Sequence, residues 1–178
     1  MPKSRVASDR TLVALLRAVN VGGTGKLAMR DLALLCTREG FIDVRTYIQT
    51  GNVVFRSSLS EPDAEKQLAR ALARHMGKPM DVVIRTAEEL RRVVRDNPYP
   101  AATPSHLYVF FSTQPVPASP FEALRGPDGE TAVVRGREVY IHYPVGMGAS
   151  KAKLPKWPCP VTSRNMNTVT KLAGMCDE

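Results

Sequence analysis

Leu12 to Leu16 form an unbroken apolar run, the pattern of a strand covered on both faces rather than one alternating between core and solvent. Beyond it, Met29, Leu32, Leu35 and Cys36 recur at helical spacing, and Gly40 closes that helix. Two β-rich runs, Val44 to Ile48 and Asn52 to Phe55, flank Thr50-Gly51 and give a hairpin signal. Ser60 stands at the cap of the next helix with Pro62 in its first turn, and Leu68, Leu72 and Met76 share one face. Gly77, Lys78 and Pro79 end it, and Met80 to Ile84 reads as a fourth strand.

The second half opens on a capping box, Thr86-Ala-Glu-Glu89, whose helix stops at Asn97-Pro98. A strand from Leu107 to Phe111, a proline-rich turn and a short helix near Phe121 to Leu124 follow. Thr131 to Val134 and Glu138 to His142 pair around Gly136-Arg137. The loop Gly146 to Lys151 leads into Leu154-Pro-Lys-Trp-Pro-Cys-Pro160, where three prolines forbid a regular helix or a central strand. A last helix is predicted from Arg164 to Met175, capped by Thr162 or Ser163.

The first half has the order β-α-β-β-α-β, which is ferredoxin-like. A single such sheet leaves one face bare, so the unalternating strands call for a cover, and the second half is the obvious one. The expectation is an α+β protein of two ferredoxin-like subdomains, 1–86 and 87–178, packed into one compact body. No internal repeat in the sequence is convincing.

Composition adds limits. The 178 residues suffice for a real core, and 43% apolar with 24% charged residues is the composition of a soluble globular protein. The net charge of +8, from 25 basic and 17 acidic residues, favours an anionic partner, although arginine in excess over lysine also follows from a GC-rich genome. Cys36, Cys159 and Cys176 are odd in number and form no C-x-x-C, which argues for a reducing cytoplasm. The start MPKSRVASDR is polar, and the apolar run after it is too short to span a bilayer, so neither a signal peptide nor a membrane partner is expected.

Candidate chemistry lies in three places. Gly22, Gly23 and Gly25 follow the first strand and Lys26 precedes a helix, the order that cradles phosphates. The phosphate-loop motif itself fails twice, because Asn20 and Leu27 occupy its glycine and hydroxyl positions. Sheet topology brings the end of the first strand to the tip of the hairpin, so Arg17, Asn20 and Lys26 approach Gln49, Thr50 and Asn52. Those six side chains include no carboxylate and suit an anion or a nucleobase edge, although Asn also satisfies turn backbone on its own. At the C-terminus, Arg164, Asn167, Thr168 and Lys171 share one face at helical spacing, while Met166, Val169, Leu172 and Cys176 form a core stripe. An arginine at a helix start invites a bound anion or an internal carboxylate. Ser150 and Lys151 make a third anion contact or a simple turn.

Catalytic patterns are absent. His75, His106 and His142 lack metal-ligand spacing, no G-x-S-x-G elbow occurs, and no metal or cofactor is implied. His142, between Tyr140 and Tyr143, is the one candidate acid or base, and also fits a structural strand histidine.

The motifs ALLRAVNVGGTGKL, YIQTGNVVF, YIHYPVGMGASK and TSRNMNTVTKL together resemble the bacterial family catalogued as domain of unknown function 1697. The resemblance covers nearly the whole chain. It implies an α+β protein of two ferredoxin-like subdomains and carries no activity with it. Members commonly have an aromatic where this chain has Met166, so no stacking role is carried over to that position. The reading is a binding protein for an anionic ligand, a nucleotide or nucleic-acid phosphate, whose site combines both ends of the chain. The alternatives are an enzyme acting on a small phosphorylated or carboxylated substrate and a protein-interaction module, as monomer or homodimer.

Overall fold

The computed structural model describes residues 8–20 and 26–178. The chain divides into two units, Met1–Ala87 and Glu88–Glu178. Each is built on a four-stranded antiparallel sheet, so the protein is α+β.

In the first unit, strands β1 (Arg10–Leu16), β2 (Ile42–Tyr47), β3 (Asn52–Ser57) and β4 (Val82–Thr86) lie in the order β2-β3-β1-β4. Helix α1 (Met29–Arg38) joins β1 to β2, and α2 (Glu61–Met76) joins β3 to β4. The apolar run predicted to be covered on both faces is so covered: Leu12 to Leu16 have no exposed surface. Helix α2 starts where the Ser60 hydroxyl accepts the Asp63 N–H at 3.2 Å, with Glu61 and Asp63 at the positive end of the helix dipole. It ends at Gly77, whose φ of 71° is the left-handed cap that glycine adopts without steric cost. Its stripe of Ala64, Leu68 and Leu72 packs with Leu32 and Cys36 of α1 on Leu12, Ala14, Leu16, Val53, Phe55, Val82 and Ile84. Truncating a buried leucine such as Leu68 to Ala costs roughly 2–5 kcal/mol.

In the second unit, β5 (Leu107–Ser112), β6 (Thr131–Arg135), β7 (Glu138–His142) and β8 (Val161–Asn165) take the corresponding order β6-β7-β5-β8. Helices α3 (Ala87–Arg95), α4 (Ala118–Phe121) and α5 (Met166–Met175) accompany them. No α-helix joins β7 to β8. Residues 143–160 run there as an irregular strap with one 3₁₀ turn at Met147–Ala149, as Pro155, Pro158 and Pro160 require. The strap still covers apolar surface: Leu154 and Trp157 pack on the core of Phe110, Phe121, Ala132, Val134, Val139 and Ile141. The Trp157 ring lies 5.1 Å from Phe110 and 4.4 Å from Phe121.

Several boundaries differ from the sequence pattern, among them the second strand, which is Ile42–Tyr47 in place of Val44 to Ile48. The fourth strand runs to Thr86, because pairing with β1 continues to Leu12↔Thr86. The short helix is Ala118–Phe121, ahead of its predicted place. The last helix begins at Met166 rather than Arg164. Val161–Asn165 pairs with β5 instead, with Arg164 opposite Val109, and the Asn165 side chain accepts the Thr168 N–H at 3.0 Å. The cap is therefore Asn165 and not Thr162 or Ser163.

That correction exposes a repeat. Arg85 stands fourth in β4 opposite Val13, and Arg164 stands fourth in β8 opposite Val109. Both are buried, and each donates from Nη1 to the carbonyl of the residue before it, Ile84 at 2.9 Å and Ser163 at 2.8 Å. In each case a helix begins two residues later.

Candidate functional site

The edge of the first sheet where β1 ends holds three non-glycine residues in left-handed backbone. Ala18 has φ 54° and Asn20 φ 58°, and at the tip of the β2–β3 hairpin Ile48 has φ 48°. Asparagine tolerates that region, whereas a β-branched isoleucine there is strained by its own side chain. Gly51, at φ 89°, is required twice over: a Cβ on it would stand 2.9 Å from Leu16 Cβ. Its carbonyl accepts the Leu16 N–H at 2.9 Å, which locks the hairpin tip against the end of β1.

Asn20 completes the lock. Its amide nitrogen donates to the carbonyls of Leu27 at 2.8 Å and Gln49 at 2.9 Å, and its oxygen accepts the Leu27 N–H at 2.7 Å. Asn52, fully buried, donates to the Tyr47 carbonyl and to Thr50 Oγ1, both at 2.9 Å. Both asparagines thus build the edge, and the exposed groups on it are Lys26, Gln49, Thr50 and Ile48. Arg17 is half-exposed and pairs with Asp81 Oδ2 at 3.0 Å. Asp81 adds a carboxylate beside those six side chains; a surface pair of this kind is worth at most about 1 kcal/mol. Gly22, Gly23 and Gly25 lie outside the described residues.

The C-terminal candidates do not share a face. Arg164 is 6% exposed in β8, with Nη1 also donating to Thr162 Oγ1 at 2.7 Å. Burial pushes its guanidinium down to about 10, which leaves it charged at neutral pH. Asn167 and Lys171 are exposed on α5, while Thr168 is buried with the predicted stripe of Met166, Val169, Leu172 and Cys176. The Ser150 hydroxyl donates to Glu130 Oε1 at 2.7 Å and accepts the Ala152 N–H at 3.1 Å, so it ties a turn, and Lys151 beside it is exposed. Glu130 has no exposed surface, and the Ser150 hydrogen bond outweighs burial to hold its carboxyl below the ordinary range. The His142 ring lies 5.5 Å from that of Tyr99.

A cavity of about 390 Å³ in the second unit is lined by Arg92, Arg135 and Arg137 against Glu89, Asp96 and Glu138. Arg137 pairs with Glu89 across it, so its charges balance and exert no net pull on an anion. The sequence reading missed two exposed cations, Lys153 and Lys156; the signal was the absence of any Asp or Glu from Val139 to Cys176. Among the described residues, no group of three or more His, Cys, Asp or Glu is placed to hold a metal, and no helix is long and apolar enough to cross a membrane.

A family model described as a protein of unknown function, DUF1697, matches residues 10–140. Among solved structures, the conserved bacterial protein SP0830 from Streptococcus pneumoniae is 22% identical, covering 95% of this chain and 99% of its own, with a TM-score of 0.78. At that identity the likeness speaks to fold alone. No curated protein matches the chain.

Proposed function

Because the chain belongs to the DUF1697 family, whose function is unknown, its role must come from its own surface, and we propose that it binds an anionic ligand, a nucleotide or nucleic-acid phosphate. The binding edge comprises residues 17–20, 26–27 and 48–52. One observation carries this reading: three left-handed non-glycine residues converge on one sheet edge, clamped by the Asn20 hydrogen bonds to Leu27 and Gln49. Backbone strain of about 1–3 kcal/mol per residue persists where surrounding structure fixes it, and such residues concentrate at binding sites. Here it presents Lys26, Gln49 and Thr50, a cation with an amide and a hydroxyl, on a rigid base. That set offers charge-assisted hydrogen bonds to a phosphate and amide hydrogen bonds to a base edge.

The same reading takes each unit as a ferredoxin-like half. It is supported by the β-α-β-β-α-β order of the first and the matching strand order of the second. It also places the protein in the cytoplasm, a placement supported by the free thiols of Cys36, Cys159 and Cys176.

Calorimetric titration with adenosine and guanosine monophosphates at low salt tests the site. Lys26→Ala and Gln49→Ala are each expected to weaken binding by roughly 1–3 kcal/mol, the loss typical of a hydrogen bond to a charged group. Absence of binding by the parent protein, or binding indifferent to both substitutions, refutes the site.

A further inference from the structure

The strap that replaces a helix in the second unit lies in the longest stretch of the chain without an acidic residue. Between Val139 and Cys176, Lys151, Lys153, Lys156, Arg164 and Lys171 meet no acidic residue in sequence, in a chain whose whole net charge is +8. Arg164 is buried, while Lys151, Lys153 and Lys156 are exposed. None of these three lysines is ion-paired with a described residue.

The backbone beneath them is fixed. Ser150 is tied to Glu130, Leu154 and Trp157 are packed into the core, and Cys159 Sγ lies 2.8 Å from Ser112 Oγ. Exposure follows suit, with Ala152, Leu154 and Trp157 half-buried between exposed lysines. The strap is thus nailed down on its inner side and presents a row of ammonium groups on its outer one. Along the chain, Lys151 and Lys153 are at most about 7 Å apart, and Lys153 and Lys156 at most about 11 Å. Separate phosphates of one flexible strand can meet separate lysines over such distances.

We propose that this strap is a docking surface for single-stranded nucleic acid, contacted through its phosphates and not its bases. Trp157 is already engaged with Phe110 and Phe121, so the groups that the strap offers a strand are its lysines, and binding through phosphates is sequence-tolerant. Its ring and Leu154 pack on the core, and the strap's exposed large apolar group is the single Val145, less than the apolar face that seats a segment in a lipid surface. With the backbone already fixed, only the lysine side chains lose freedom on binding. The surface lies wholly in the second unit and stands or falls independently of the first-unit edge.

Fluorescence anisotropy of the full chain with a labelled single-stranded RNA of mixed sequence tests this, measured across a salt series. The variant Lys151→Gln/Lys153→Gln/Lys156→Gln is expected to lose affinity at least tenfold at low salt. Its slope of log K against log salt should fall by about 2, the counterions released by three phosphate contacts on a single strand. The control Lys66→Gln/Arg70→Gln/Lys78→Gln removes as much charge from exposed positions of the first unit and should leave the slope nearly unchanged. Calorimetric binding of adenosine monophosphate should be unchanged in the strap variant, so failure of either surface is visible separately. Equal losses in both triple variants, no RNA binding at the lowest salt, or a strap variant that loses anionic vesicles but keeps RNA would each overturn the proposal.

Discussion

The two units join the same strand order with different connectors, and the contrast separates what the sheet needs from what the surface is free to do. In the first, α2 crosses from β3 to β4, satisfies its own backbone hydrogen bonds and buries Leu68 and Leu72. Its outer side mixes signs, with Glu61, Asp63, Lys66, Arg70 and Arg74. In the second, the strap makes the equivalent connection and must be held by side chains: Ser150 on Glu130, Trp157 between two phenylalanines, Cys159 at Ser112. The charged groups on its outer side are lysines only. The sheet demands apolar cover and is indifferent to whether a helix supplies it. At the far ends of the strands the units agree again, in Arg85 and Arg164.

The arginines give the largest expected effect. Arg85→Ala and Arg164→Ala should each cost about 3 kcal/mol in urea unfolding, through a cavity plus polar groups left without their guanidinium. Arg164→Met, which keeps most of the volume and buries no charge, should cost clearly less than Arg164→Ala. Costs for the two alanine variants that differ by more than about 1.5 kcal/mol would break the equivalence of the positions. Next comes Trp157→Ala, expected to cost about 2–3 kcal/mol because the ring is partly exposed, and to speed proteolysis within 150–160. A strap as resistant as before would mean that its side-chain anchors do not hold it.

Gly51→Ala acts in the other unit. Left-handed backbone alone costs an alanine about 1 kcal/mol, and the approach to Leu16 Cβ adds to it, so a loss of about 1–3 kcal/mol is expected in thermal unfolding. Destabilisation should be accompanied by weakened nucleotide binding, since the tip moves with it. The smallest effect concerns Glu130. Its folded-state pKa is lowered, chiefly by Ser150, so its stabilising share is complete above the unfolded-state value and is lost as pH falls through the lower folded value. Ser150→Ala should raise the carboxyl's titration toward the ordinary Glu range, as followed by carbon NMR, and move the acid-unfolding midpoint to higher pH. An unchanged titration would remove Ser150 as the cause.

The core was legible because its signals are local: the unalternating Leu12 to Leu16, the capped α2, and the Gly136 turn at φ 62° all follow from near neighbours. The start of α5 was not. Thr162 and Ser163 are good caps and Arg164 fits a helical face, but pairing with β5 decides the conformation, and nothing within a few residues encodes that partner. Asp81 was missed for the same reason, being distant in sequence from Arg17. Asn20 and Asn52 were found as polar groups at the right edge, yet their amides serve the backbone, and only hydrogen-bond geometry tells the two uses apart. The arginine repeat was obscured because Val82-Val-Ile-Arg-Thr and Val161-Thr-Ser-Arg-Asn share just two residue types at matching places.

The most direct measurement for the first-unit edge is a nitrogen-15 NMR titration of the full chain with adenosine and guanosine monophosphates. Backbone amides of residues 18–20, 26–27 and 48–51 are expected to shift together along one saturable curve, and Lys26→Ala should move that curve to higher ligand concentration. Shifts confined to other residues, or none up to millimolar nucleotide, would contradict a binding site at this strained edge.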